Sequence, residues 1–278
     1  MARFHHGVPN LYINIHVILT QSGEIMVYKL GRNARSFNTS VKLLQNVIPT
    51  LPTPPKEVDW SHGINNFGMM LNDRLGCCTC AAVYHAKQIW TANTLTEQTE
   101  SDNQVLSLYE QACGYNPSNP STDQGGNEQS VLTYLMNQGI PLDDGTRDKI
   151  IGFMEVNPSN LDDVKVTINE FGVAYIGFNV PKSLFANGAP ASIWEVSKDL
   201  TLANSFDGGH AVVLVGYDDI GPTCISWGSK YKMTWEFFSR YTEEVYAIID
   251  KSWIETNGKT PLDIDIGELE VIMSELKN

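Results

Sequence analysis

The feature that most constrains this chain is the order of its periodicities. Helical spacing of apolar residues dominates from about residue 78 to 138, strand-like runs dominate from residue 172 onward, and no internal repeat interrupts them. Segregation of this kind predicts an α+β fold with a helical lobe and a sheet lobe, not alternating βαβ units. A helix is expected from about Cys78 to about Ala92; its apolar residues Ala81, Ala82, Val83, Ala86, Ile89 and Trp90 nearly encircle it, so it should be buried. Further helices are expected at 103–113, at 127–138 with a stop at Asn137-Gln138-Gly139, and over Leu161–Glu170 behind Asn160 as a cap. Strands are expected at 172–180, 211–217, around 223–227 and at 244–250. Ala211–Tyr217 is the strongest of these, apolar enough to be covered on both faces, and His210 stands at its entrance. The stretch 182–206 reads as a surface loop with one short helix or strand.

Residues 11–30 read as a β-hairpin around Gln21-Ser22-Gly23. A lone hairpin is marginal in water, so this one should pack on the main body or on another chain. Residues 31–57 carry the Gly, Asn, Ser and Pro of an extended linker. The expected division is therefore an arm over 1–55, a main domain over 56–253, and a helical tail over 254–278, amphipathic from Asp263.

Acidic residues number 32 against 19 basic ones, for a net charge of −13. Nucleic acid and anionic membranes would repel such a chain, leaving protein or peptide partners, including further copies joined through the arm. There is no secretory leader pattern and no apolar run near membrane length, so a soluble protein made in the cytoplasm without a signal peptide is expected. Cys77, Cys78 and Cys80 are too crowded, and five cysteines too odd a number, for a disulfide framework. Cys-Cys-x-Cys also lacks a second Cys/His pair at zinc spacing, so neither metal nor cofactor is expected.

The chemistry-bearing residues are Cys78 and His210. Cys78 falls where a polar, glycine-containing turn becomes a helix, a place where free amide N–H groups and the helix dipole favour thiolate. A histidine entering a strand in the other half of the chain could complete a thiolate–imidazolium pair between two lobes. Taken singly, each residue also has a purely structural explanation as a buried small hydrophobe or a core imidazole.

Ordered landmarks over about residues 55–250 carry a family resemblance. They are Val58-Asp59-Trp60 with Gly63; Asn72-x-x-x-Gly76-Cys77-Cys78; Gln124-Gly125-Gly126 with Tyr134 and Asn137-Gln138-Gly139-Ile140; Leu161 through Val180; Gly209-His210-Ala211-Val212 with Val215-Gly216-Tyr217; and Ser226-Trp227-Gly228. In this order they resemble the papain-like cysteine peptidases, in a form similar to a divergent bacterial and bacteriophage branch. The resemblance implies a papain-like fold with Cys78 as nucleophile, His210 as base and acid, and Asn72 as oxyanion donor. It also exposes departures: Ile225 stands where the family has the asparagine that orients the histidine, and Thr79 where a tryptophan follows the nucleophile. Asp207 and Asp218 are the candidates to replace the orienter. Two functions are thus expected as alternatives: a cysteine hydrolase of peptide or amide bonds, weakened by Ile225, or an impaired papain-like fold serving in an assembly such as a bacteriophage virion.

Overall fold

The computed structural model describes residues 15–19, 25–35, 41–48, 50–94 and 96–254, together with Gly267 and Val271. The ends and turn of the expected hairpin, and all of the expected tail helix except those two residues, lie outside the described residues.

The helical lobe consists of α1 (Cys78–Thr94), α2 (Asp102–Cys113) and α3 (Glu128–Gln138). α1 is covered almost all round, from Cys78 through Thr91, as its encircling apolar pattern predicts. Gly114 ends α2 in a left-handed conformation (φ 77°), and Asn127 caps α3 by accepting from the Ser130 N–H. The sheet lobe follows, with β3 (Gly152–Val156), α4 (Leu161–Phe171), β4 (Ala174–Pro181), β5 (Phe206–Tyr217), β6 (Pro222–Ser226), β7 (Ser229–Met233), α5 (Trp235–Tyr241) and β8 (Thr242–Ile249). These strands form one sheet in the order β3-β8-β4-β5-β6-β7, with antiparallel neighbours. The short pair Ile193–Trp194 adds parallel to β7 at one edge, inside the stretch read as a surface loop.

The sheet separates two apolar cores, and β5 serves both by the two-residue period of a strand. Ala211, Val213 and Val215 pack with α1, whereas Val212 and Leu214 pack on the opposite side with Phe237, Phe238 and Trp194. β5 begins earlier than its apolar run predicts. Gly208, Gly209 and His210 pair with Val180, Asn179 and Phe178 of β4, so the histidine lies within the strand and not at its entrance. Paired neighbours here override the poor strand propensity of glycine.

β1 (Ile15–Leu19) and β2 (Ile25–Lys29) form a separate two-stranded antiparallel sheet in register Ile15↔Lys29 to Leu19↔Ile25. The chain leaving β2 does not enter solvent. Leu30, Gly31 and Arg32, of which the last two open the stretch with linker composition, are buried where the two lobes meet.

Candidate active site

The junction of the lobes is a groove, and residues 30–33 lie in it as extended backbone. Arg32 N–H donates to Gly209 O on the sheet side at 3.0 Å; Gly126 N–H donates to Gly31 O, and Asn33 N–H to Gly126 O, on the helical side at 2.8 Å each. Both walls therefore read main-chain groups, as an added strand would be read. The approach is so close that a Cβ on Gly31 would sit 1.9 Å from Gly76 O, and one on Gly209 2.6 Å from Arg32 O. Only glycine fits such contacts.

Cys78 opens α1 beside this segment. Its sulfur accepts hydrogen bonds from the backbone N–H groups of Ala211, next to His210, and of Gly31. Burial nevertheless pushes the thiol up to about 12, against those two bonds and the nearby Arg32 guanidinium. The thiolate expected from the helix terminus is therefore absent in this state, because desolvation outweighs the dipole. Cys77 points elsewhere, donating to Met70 O, and the Cys80 sulfur lies 3.9 Å from that of Cys113. Among the described residues no group of three or more His, Cys, Asp and Glu could hold a metal ion.

Asn72 also faces the segment. Its side-chain amide donates to Lys29 O at 3.2 Å and to Leu75 O at 3.3 Å, while its own carbonyl accepts from Lys29 N–H at 3.2 Å. The residue expected to donate to an oxyanion thus donates to a peptide carbonyl in the groove.

His210 is held from the other side. Its Nε2 lies 2.7 Å from Ser226 Oγ, its ring stacks on Trp227 with centroids 4.3 Å apart, and Phe178 meets it edge-on. Trp227 takes a left-handed backbone (φ 45°), which costs on the order of 1 kcal/mol or more, and its Nε1 donates to Lys29 O. Nδ1 is buried without a hydrogen-bond partner, so no thiol–imidazole bond exists in this state. Burial, with a smaller contribution from His85, pulls the imidazole down to about 3, so it is neutral near pH 7.

Ser226 is the residue that sequence reasoning missed. Ile225 does lie away from the imidazole, in the core against α1, but strand alternation turns the next side chain to the His210 face. The two acids considered as replacements are engaged elsewhere, Asp207 with His16 at 3.4 Å and Asp218 with Lys232.

The segment is anchored by charge at both ends. Lys29 pairs with Asp123, which also accepts from Gly76 N–H at 3.0 Å and Tyr109 Oη at 2.7 Å. Arg32 reaches a covered pocket in which Nε meets Glu128 Oε1 at 2.8 Å and Glu244 Oε1 at 3.0 Å, Nη1 meets Glu243 Oε2 at 2.7 Å, and Nη2 meets Glu244. Burial alone would lower the guanidinium, yet Glu128 and Glu244 outweigh it and raise it further. Burial also drives Glu128 well above the usual carboxylate range, opposed by Arg32 and reinforced by Glu244. The pocket thus sets one guanidinium among three carboxyl groups, two of them wholly covered.

No protein-family model and no curated protein matches the sequence. Among solved structures, the chain superposes on xylellain, a cysteine protease from Xylella fastidiosa, with a TM-score of 0.61 at 17% identity, over 80% of this chain and 96% of that one. The chain has the papain-like fold. The same fold relates it to procathepsin L 3 of Tenebrio molitor, with a TM-score of 0.52, 14% identity and coverage of 77% and 76%, and to procathepsin B S9 from Trypanosoma congolense, with 0.51, 15%, 80% and 86%. Identities this low carry the papain-like fold and not an activity. Among the described residues no helix is long and apolar enough to cross a membrane.

Proposed function

We propose that this chain is a papain-fold cysteine hydrolase of peptide or amide bonds, held closed by its own segment 30–33. The observation that carries the reading is the clamping of extended backbone between Gly126 and Gly209, directly against the Cys78 sulfur. A groove that reads both faces of a peptide backbone beside a thiol, a buried imidazole and a side-chain amide is a peptide-processing site in kind.

Displacement of the segment admits water, lowers the thiol and raises the imidazole, so that Cys78 can pass its proton to His210 Nδ1. The sulfur then bonds to the substrate carbonyl carbon, Asn72 donates to the developing oxyanion, and the C–N bond breaks as the amine leaves with the proton from His210. Water hydrolyses the thioester, releasing the acid and restoring the thiol. Ser226 keeps the imidazole oriented in place of the missing asparagine.

A second reading has one observation in its favour. Ile15, Val17 and Ile25 expose apolar side chains on the arm, as an edge that docks on another copy or on a virion neighbour would. The discriminating experiment uses the full chain with Arg32→Glu, which sets a carboxylate against Glu128 and Glu244 and expels the segment. Cleavage of a mixed peptide library, abolished by adding Cys78→Ser, is the expected result. An opened variant with no Cys78-dependent cleavage would leave only the assembly reading.

A further inference from the structure

We propose that the pocket occupied by Arg32 selects substrates, taking the side chain of an arginine in an extended peptide that replaces residues 30–33. This rests on the reading of the groove as a substrate site, and adds to it a class of substrate. Three facts about the pocket support it.

First, it contacts a guanidinium at every nitrogen: Glu128 and Glu244 at Nε, Glu243 at Nη1 and Glu244 at Nη2. A lysine ammonium has one nitrogen and could not satisfy acceptors spread around a planar fork. Second, its floor is Gly177, where a Cβ would lie 2.0 Å from Glu128 Oε1 and 2.3 Å from Arg32 Nε. Any larger residue there would displace both the acceptor and the guest. Third, Glu128 and Glu244 are wholly covered, and Tyr246 Oη fixes the second oxygen of Glu244 at 2.6 Å. Carboxylates held so rigidly away from water cannot relax toward a neutral guest, so a side chain without charge leaves them unpaired. Arg32 reaches them from a segment whose neighbours Gly31 and Asn33 are held through main-chain atoms that any peptide possesses.

The test is a binding measurement and so does not depend on catalysis. A full-length chain carrying Cys78→Ala, to prevent turnover, and Arg32→Ala, to vacate the pocket, is titrated with labelled Lys-Leu-Gly-Arg-Asn amide and with the same peptide bearing citrulline or lysine at the fourth position. The arginine peptide should bind at least about tenfold tighter than the citrulline one, with lysine between, as expected for charge-assisted hydrogen bonds in a dry pocket. Adding Glu244→Gln should erase most of that preference. Equal binding of the three peptides overturns the inference and leaves the peptide groove standing. Failure of all three to bind overturns the groove reading and the inference together. If Arg32→Ala does not fold unaided, its refolding yield in ethylguanidinium should exceed that in ethylammonium at the same ionic strength. Equal yields would contradict the proposal.

Discussion

The cleft segment carries a cation at each end, and the fold treats the two differently. Lys29 meets one carboxylate, Asp123, which keeps two other donors in Gly76 N–H and Tyr109 Oη. Arg32 meets Glu128 and Glu244, both wholly covered, and removing it takes away the cation that bonds to both. One end is thus an ordinary partly buried pair, whereas the other is a site built around a guanidinium. Between them Gly31 lies beside the Cys78 sulfur. On the proposed reading, the difference predicts that closure of the groove depends mainly on its Arg32 end.

Arg32→Ala should have the largest effect, a loss of about 3–5 kcal/mol in chemical denaturation, because a buried ion cluster loses one partner. A loss under about 1 kcal/mol would erase the contrast between the ends. Acidification comes next. Burial pulls His210 down to about 3 from 6.5, so between those values the unfolded chain binds a proton that the closed chain refuses. Stability contributed by the neutral imidazole is therefore full above about pH 6.5 and lost as pH falls, by up to about 1.4 kcal/mol per unit. The unfolding free energy of the chain minus that of His210→Gln isolates this histidine from carboxylates titrating in the same range. It should fall by about 2 kcal/mol between pH 6.5 and 4.5; a flat difference would mean that the imidazole is hydrated.

Ser226→Ala should cost about 1–3 kcal/mol by leaving Nε2 unpaired, and slow any cleavage by the Arg32→Glu chain at least about tenfold. Unchanged cleavage would return the orienting role to another residue. Lys29→Ala should have the smallest effect, about 1–2 kcal/mol, since Asp123 retains its other donors. If it costs as much as Arg32→Ala, both ends anchor the segment alike.

The long helices were legible because a 3.6-residue apolar period extends through α2, α3 and α4 and because apolar residues encircle α1, and the core strands because β4 and the apolar half of β5 are continuous apolar runs. β7 was not, since Ser229-Lys230-Tyr231-Lys232 carries the polar residues of an outer strand. The short helix α5 also escaped, although Thr234 caps it through the Phe237 N–H. In the site, Cys78 and His210 stood out through residue type and local setting. Arg32 did not, because its acceptors Glu128 and Glu244 lie 96 and 212 residues away and its neighbours have the composition of a linker. Ser226 was within reach: alternation along β6 places it, and not Ile225, on the face of His210.

The central claim, that residues 30–33 cover the nucleophile of a peptide cleft, is tested most directly by the rate at which a thiol-reactive peptidyl inhibitor labels each cysteine, followed by mass spectrometry. In the native chain Cys78 should react slowly, as its burial and its pKa of about 12 require. In the Arg32→Glu chain its labelling should accelerate at least about tenfold, with Cys77, Cys80 and Cys224 unchanged. Equal Cys78 rates in the two chains would contradict the account.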